Sequence, residues 1–116
     1  MIYIKSTVNY NDLSEEKQIT LVSEGGYGIY HIKNPSEAVQ LAAVMEDGWA
    51  IQFIEYPSEA VQLAAVRESG NAIRYIINPT EAVQLAAVQS NPSAIKYIYN
   101  PSVELKVYAN LMKLGK

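Results

Sequence analysis

A 22-residue unit repeats along this chain. Residues 35–56 read PSEAVQLAAVMEDGWAIQFIEY, residues 57–78 read PSEAVQLAAVRESGNAIRYIIN, and residues 79–100 read PTEAVQLAAVQSNPSAIKYIYN. A weaker copy, LSEEKQITLVSEGGYGIYHIKN, precedes them in register at 13–34, and a truncated copy begins at Pro101. A unit this short cannot bury its own apolar side. A fixed period in this range therefore implies copies stacked on one another around a shared core. The expected organisation is a single domain, 1–116. It has an N-terminal cap (1–12), repeats at 13–34, 35–56, 57–78 and 79–100, and a closing helix (101–116).

Each repeat carries two helix-start signals. In Asn34-Pro35-Ser36-Glu37, Asn34 can cap, Pro35 suits the first helical position and Glu37 can complete a capping box. Asn78-Pro79-Thr80-Glu81 repeats the pattern. Asp12-Leu13-Ser14-Glu15 keeps a cap and the Glu, whereas Tyr56-Pro57-Ser58-Glu59 loses the Asn and leaves Ser58 to cap. The second signal lies mid-repeat, at Gly25-Gly26, Asp47-Gly48, Ser69-Gly70 and Asn91-Pro92. The fold class predicted is all-α: a solenoid of short antiparallel helix pairs with atypical terminal caps. Such short helices are held by stacking rather than by intrinsic propensity.

The two helices differ in pattern. The first places Ala38, Val39, Leu41, Ala42, Ala43 and Val44 over most of its circumference, which predicts an interior helix. The second, expected over about 48–55, is amphipathic. Ala50, Ile51, Phe53 and Ile54 are expected to face inward, with Trp49, Gln52, Glu55 and Tyr56 outside. The chain is its own control here. Ala, Ile and Ile recur at the inner slots (Ala50, Ile51, Ile54; Ala72, Ile73, Ile76; Ala94, Ile95, Ile98), while the outer slots vary freely. At the C-terminus one closing helix is expected, apolar toward the stack, basic outside and ending at Gly115. Ile2-Tyr3-Ile4-Lys5 resembles half a repeat and fits either a helical cap or a short strand.

Composition narrows the function classes. Apolar residues make up 49% of the chain and charged residues 18%, enough to bury a core. The net charge of −3 disfavours a nucleic-acid backbone as the main partner, because that role needs a strongly basic face. With no cysteine there is no disulfide, thiol chemistry or thiolate metal site. The N-terminus has no apolar run of signal-peptide or membrane-spanning length, so the expectation is a cytoplasmic protein with no membrane partner.

The run LAAV (41–44), followed by DG-x-A-I-x-F-I (47–54), resembles a short helical-repeat family catalogued as domain of unknown function 4116. Its repeats carry a similar Leu-Ala-Ala-Val run, then Gly, then Ala-Leu/Ile-x-Tyr. The resemblance covers about residues 13–100. Here Pro92 replaces the usual Gly, and Thr20-Leu21 stand where the Ala pair would be in the first copy. The resemblance implies a helical array of the kind found among protist, large-virus and phage proteins. It brings no catalytic residues.

The candidate chemistry is weighed slot by slot. Glu15, Glu37, Glu59 and Glu81 form a row. Helices pack about 8–10 Å apart, too far for adjacent carboxylates to share one ion, so N-terminal capping is the stronger reading. Gln18, Gln40, Gln62 and Gln84 form a parallel row, expected to bond one another or neighbouring backbone. His31, the single histidine, holds the slot of Phe53, Tyr75 and Tyr97 and is expected to pack inward. Gly25, Gly26 and Gly28 lack the strand and Lys-Ser/Thr of a phosphate loop and are expected to serve as hairpin glycines.

The aromatic cluster remains. Tyr27, Tyr30 and Trp49 fall on the outer face, with Gln52, Arg74 and Lys96 in the same variable slots. Surface Tyr and Trp are enriched in interfaces. The competing reading is that Tyr27 and Trp49 pack over the neighbouring hairpin. The expected function is a non-enzymatic protein-binding module with no cofactor or metal, using these six residues. A phage- or virus-encoded inhibitor of a host defence protein is one concrete form. Ligand or nucleic-acid binding through the aromatic and basic outer face, and an enzyme with an unrecognised site, are the alternatives.

Overall fold

A computed structural model describes residues 9–115. The half-repeat expected at Ile2–Lys5 lies outside the described residues. Within them the chain is an all-α solenoid built from one helix pair per repeat. The α-helices are α1 (Glu15–Glu24), α2 (Glu37–Glu46), α3 (Glu59–Glu68), α4 (Glu81–Ser90) and α5 (Val103–Leu114). The second members of the pairs are short 3-10 helices: η2 (Gly26–His31), η3 (Gly48–Phe53), η4 (Gly70–Tyr75) and η5 (Pro92–Tyr97). A further 3-10 turn, η1 (Tyr10–Asp12), precedes α1. The α-helices form one layer and the 3-10 helices the other. Each of α2, α3 and α4 packs on its own 3-10 helix and on that of the preceding repeat, while α1 packs on η2 and α5 on η5. The stack is 51 Å long and 18 Å across its thinnest dimension. No described helix is long and apolar enough to cross a membrane.

The α-helix cap differs from the expected one. Ser14, Ser36, Ser58, Thr80 and Ser102 are the N-caps, each hydroxyl accepting the N–H three residues on, and the helix proper begins at the next residue. Asn34, Asn78 and Asn100 instead turn the corner in the left-handed region, with φ of 48°, 53° and 52°. Asn tolerates that conformation because its short side chain bonds locally. Tyr56, at the equivalent corner, stays out of it. Glu37 and its equivalents do not close a capping box. The carboxylates of Glu15, Glu37 and Glu59 bond the next repeat instead: the hydroxyl of Ser36 donates to Glu15, that of Ser58 to Glu37 at 2.6 Å and that of Thr80 to Glu59 at 2.7 Å.

The α-helices are also less interior than their pattern suggests. Val39, Ala43 and Val44 of α2 are buried, Leu41 and Ala42 are half-buried, and Ala38 is exposed. The α layer is one helix thick, so its outer side has no protein over it. The Gln row bonds backbone: Gln40, Gln62 and Gln84 donate to the carbonyls of Pro35, Pro57 and Pro79 at 2.9–3.1 Å. In the first copy Gln18 reaches Tyr10 instead.

Close approach at the hairpin explains the glycines. A Cβ at Gly26 would lie 2.6 Å from the carbonyl oxygen of Ala43, and Gly48 and Gly70 stand in the same relation to Ala65 and Ala87. The N–H of Gly48 donates to Glu68 of the next helix at 2.7 Å, and that of Gly70 to Ser90 at 3.1 Å. Pro92 ends this series. It has neither the bare Cα nor the N–H, and α5 packs more loosely against α4 than the other α-helices do on one another. Ser102 makes no bond to Glu81, and a groove of about 550 Å³ opens between Glu81, Leu85, Leu105 and Tyr108.

α5 begins at Val103, after Ser102, and Gly115 caps its end as expected. Leu105 and Ala109 are buried against the stack. Its outside is not simply basic, because Val103, Val107, Leu111 and Leu114 are exposed there beside Lys106 and Lys113.

Candidate functional site

Six residues between extended caps form each 3-10 helix. Asp47 and Asn91 cap η3 and η5 through their side chains, accepting the N–H of Trp49 at 3.0 Å and of Ser93 at 3.1 Å. Gly25 and Ser69 hold the equivalent positions with no side-chain bond. A 3-10 helix has three residues per turn, so side chains three apart eclipse. Gly48 and Ile51 therefore share one buried row, and Ile54, the extended C-cap after the helix, is buried beyond it; the two Ile are at most 7% exposed. Burying a side chain like Ile51 contributes roughly 1.5–3 kcal/mol; Ile29 and Ile73 are buried as fully, and Ile95 only partly.

Phe53, expected to face inward, is half-buried: it packs against the edge of the core, beyond the fully buried Ala50. Its column, His31, Phe53, Tyr75 and Tyr97, runs along the 3-10 layer at the surface. His31 is exposed rather than inward-packed, its ring edge-on to Tyr10 and Tyr30, 5.3 Å from each.

Each ring in the column receives side chains from the preceding repeat. Phe53 takes Tyr27 at 5.1 Å and Tyr30 at 5.3 Å, both edge-to-face. Tyr75 takes Trp49 at 5.7 Å. Tyr97 takes the guanidinium of Arg74 at 5.1 Å and, from its own repeat, the ammonium of Lys96 at 5.3 Å. Gln52 donates to the hydroxyl of Tyr27 at 3.3 Å and to the carbonyl of Trp49 at 3.0 Å.

The six residues singled out in the sequence thus share one face. Tyr27, Gln52 and Trp49 are joined by hydrogen bonds, and Arg74 and Lys96 meet at Tyr97. Tyr30 remains 67% exposed and Tyr27 47%. Trp49 is half-buried, so part of its ring is committed to packing. The column of Phe53, Tyr75 and Tyr97 completes the face and was missed.

The result is a stripe of ring edges and faces that passes from aromatic (Tyr27, Tyr30, Trp49) to cationic (Arg74, Lys96). Such a stripe can receive apolar side chains at one end and carboxylates or π-faces at the other. Among the described residues no three His, Asp or Glu side chains are placed to hold a metal ion. Compared with known proteins, the chain matches no family model, no curated protein and no solved structure.

Proposed function

We propose that this chain is a non-enzymatic protein-binding module that works through the outer face of its 3-10 helices. One observation carries the reading. Tyr30 stays 67% exposed and Tyr27 47% although each touches Phe53, so stacking does not require their full surface. The outer slots also vary between copies while the inner ones do not, as expected when stacking dictates one set and a partner the other. The resemblance to the repeat family 4116 belongs to this proposal. So does its concrete form, a phage- or virus-encoded protein acting inside the host cell by occupying a host protein such as a defence factor.

The experiment is affinity capture from a host lysate with the wild type and a Tyr30→Ala variant whose melting curve shows it to be folded at the temperature of capture. A partner held by the wild type and lost by the variant supports the reading. Equal capture by both moves the site elsewhere. Arg74 and Lys96 over Tyr97 also offer a seat for a nucleobase. A salt titration separates this second reading, since phosphate contacts give a steep slope of log affinity against log salt.

A further inference from the structure

One slot of the repeat holds Tyr30, Gln52, Arg74 and Lys96 in successive copies. In the second copy the slot is satisfied internally, because Gln52 donates to the hydroxyl of Tyr27 and to the carbonyl of Trp49. In the third and fourth it carries cations that are not. The guanidinium of Arg74 lies over Tyr75 at 5.6 Å and over Tyr97 at 5.1 Å, and the ammonium of Lys96 lies over Tyr97 at 5.3 Å. Both side chains are exposed. Among the described residues no carboxylate lies within 4.0 Å of either cation, and neither donates a hydrogen bond.

A ring face offsets a cation only in part. Two like charges over Tyr97 with no counter-charge leave this end of the stripe positive, on a chain whose net charge is −3. The guanidinium adds direction. Its contact with a ring uses its charge and face, while its five N–H donors lie in its own plane, in a fork that fits the two oxygens of a carboxylate. Two ring contacts also hold the long stem in place, so binding an acceptor costs less side-chain entropy than at an unsupported Arg. Arg67, the chain's other arginine, is exposed on α3 and has no such ring contact among the described residues. A nucleic-acid strand fits this end less well. It presents a phosphate at every nucleotide, and away from Arg74 and Lys96 the stripe offers Trp49, Tyr30 and Tyr27.

We propose that the cationic end of the stripe is a carboxylate seat. An Asp or Glu side chain of the partner protein takes the N–H fork of Arg74, with the ammonium of Lys96 at its flank and an apolar neighbour resting on Trp49 and Tyr75. This seat rests on the protein-binding reading and names what the partner must carry.

The test reads the side-chain Nε–H signals of the two arginines by NMR on the full chain. The probe is a capped pentapeptide with Glu between Trp and Leu; the control has Gln in place of Glu. The Arg74 signal is expected to shift to saturation with the Glu peptide and to move little with the Gln peptide, while the Arg67 signal stays throughout. Arg74→Lys keeps the charge and loses the fork. Read at the indole N–H of Trp49, it is expected to bind the Glu peptide roughly tenfold more weakly. Lys96→Gln is expected to weaken binding about threefold and to reduce its salt dependence. Melting curves first establish that both variants are folded at the temperature of titration; if either is not, the two wild-type titrations decide alone. Equal shifts at Arg67 and Arg74, an equal response to the Gln peptide, or wild-type affinity in Arg74→Lys would each overturn the proposal. So would a response of Arg74 to a phosphoserine peptide or to oligothymidylate but not to the Glu peptide. A captured partner lost by Tyr30→Ala and kept by Arg74→Lys would sink the carboxylate seat and leave the aromatic face as the binding surface. A Glu-specific shift at Arg74, with capture unaffected by Tyr30→Ala, would support the seat and remove Tyr30 from the site.

Discussion

The hydroxyl of Ser58 donates to the carboxylate of Glu37 at 2.6 Å while accepting the N–H of Val61 at 3.3 Å. One hydroxyl thus caps its own helix and ties it to the preceding repeat. Thr80 does the same with Glu59 and Val83, and Ser36 with Glu15 and Val39. Ser102 caps α5 through Leu105 at 3.1 Å but makes no such bond to the repeat before it.

The comparison of Ser58→Ala with Ser102→Ala tests this double role. Losing a cap costs about 0.5–2 kcal/mol. Ser58→Ala also strips a charged acceptor of its donor, adding about 0.5–1 kcal/mol for a solvent-exposed bond. In urea melts Ser58→Ala should be the more destabilised of the two. Equal losses would mean that the tie to Glu37 contributes nothing.

Gly48 and Gly25 answer differently to the same substitution. An alanine Cβ at Gly48 would strike the carbonyl of Ala65, and an overpacked contact costs roughly 1–3 kcal/mol. At Gly25 nothing lies within 4 Å and the backbone is extended, so Gly25→Ala should stabilise by about 0.4–1 kcal/mol through the unfolded state. Thermal melts of the two variants should move in opposite directions. A tolerated Gly48→Ala would show that the hairpins can part without cost.

Asn78 occupies the left-handed region and Tyr56, at the equivalent corner, does not. Asn78→Val should cost about 1–2 kcal/mol for the Cβ clash, whereas Asn78→Gly should be near neutral. The exposed side chain of Asn78 leaves backbone conformation as the variable being read. Equal stabilities of the Val and Gly variants, measured by denaturant melts, would argue against the turn.

Trp49 and Tyr30 separate packing from binding. Half-buried Trp49 has its ring against Tyr75, so Trp49→Ala should lose roughly 1–2 kcal/mol of stability. Tyr30→Ala should lose about 0.5–1 kcal/mol, since only its edge contacts with Phe53 and His31 go. An aromatic anchor in a desolvated interface commonly carries 2 kcal/mol or more, about thirtyfold in affinity. Tyr30→Ala should therefore weaken the captured partner's binding far more than it lowers the melting temperature. Affinity and melting falling in step would make Tyr30 a packing residue.

The 22-residue period determined that the chain stacks and that Ala50, Ile51 and Ile54 and their copies turn inward, all buried but the half-buried Ile95. These follow from local pattern, because a solenoid's contacts are nearly all between neighbours in sequence. The grouping of Tyr27, Tyr30, Trp49, Gln52, Arg74 and Lys96 on one face was legible too, since variable slots recur at the same point of each copy. Whether the second helix would be α or 3-10 depended on tertiary structure. The six residues between the caps bury Gly48 and Ile51 on one row, as a period of three allows, and the chain leaves the helix at the buried, extended Ile54. Phe53 and Tyr97 end half-buried and Tyr75 exposed. The partners of polar groups were likewise decided in three dimensions. Glu37 finds Ser58, and Gly48 finds Glu68, across a repeat boundary. A hydrogen bond depends on where a donor points once helices are packed, and residue type alone does not carry that direction.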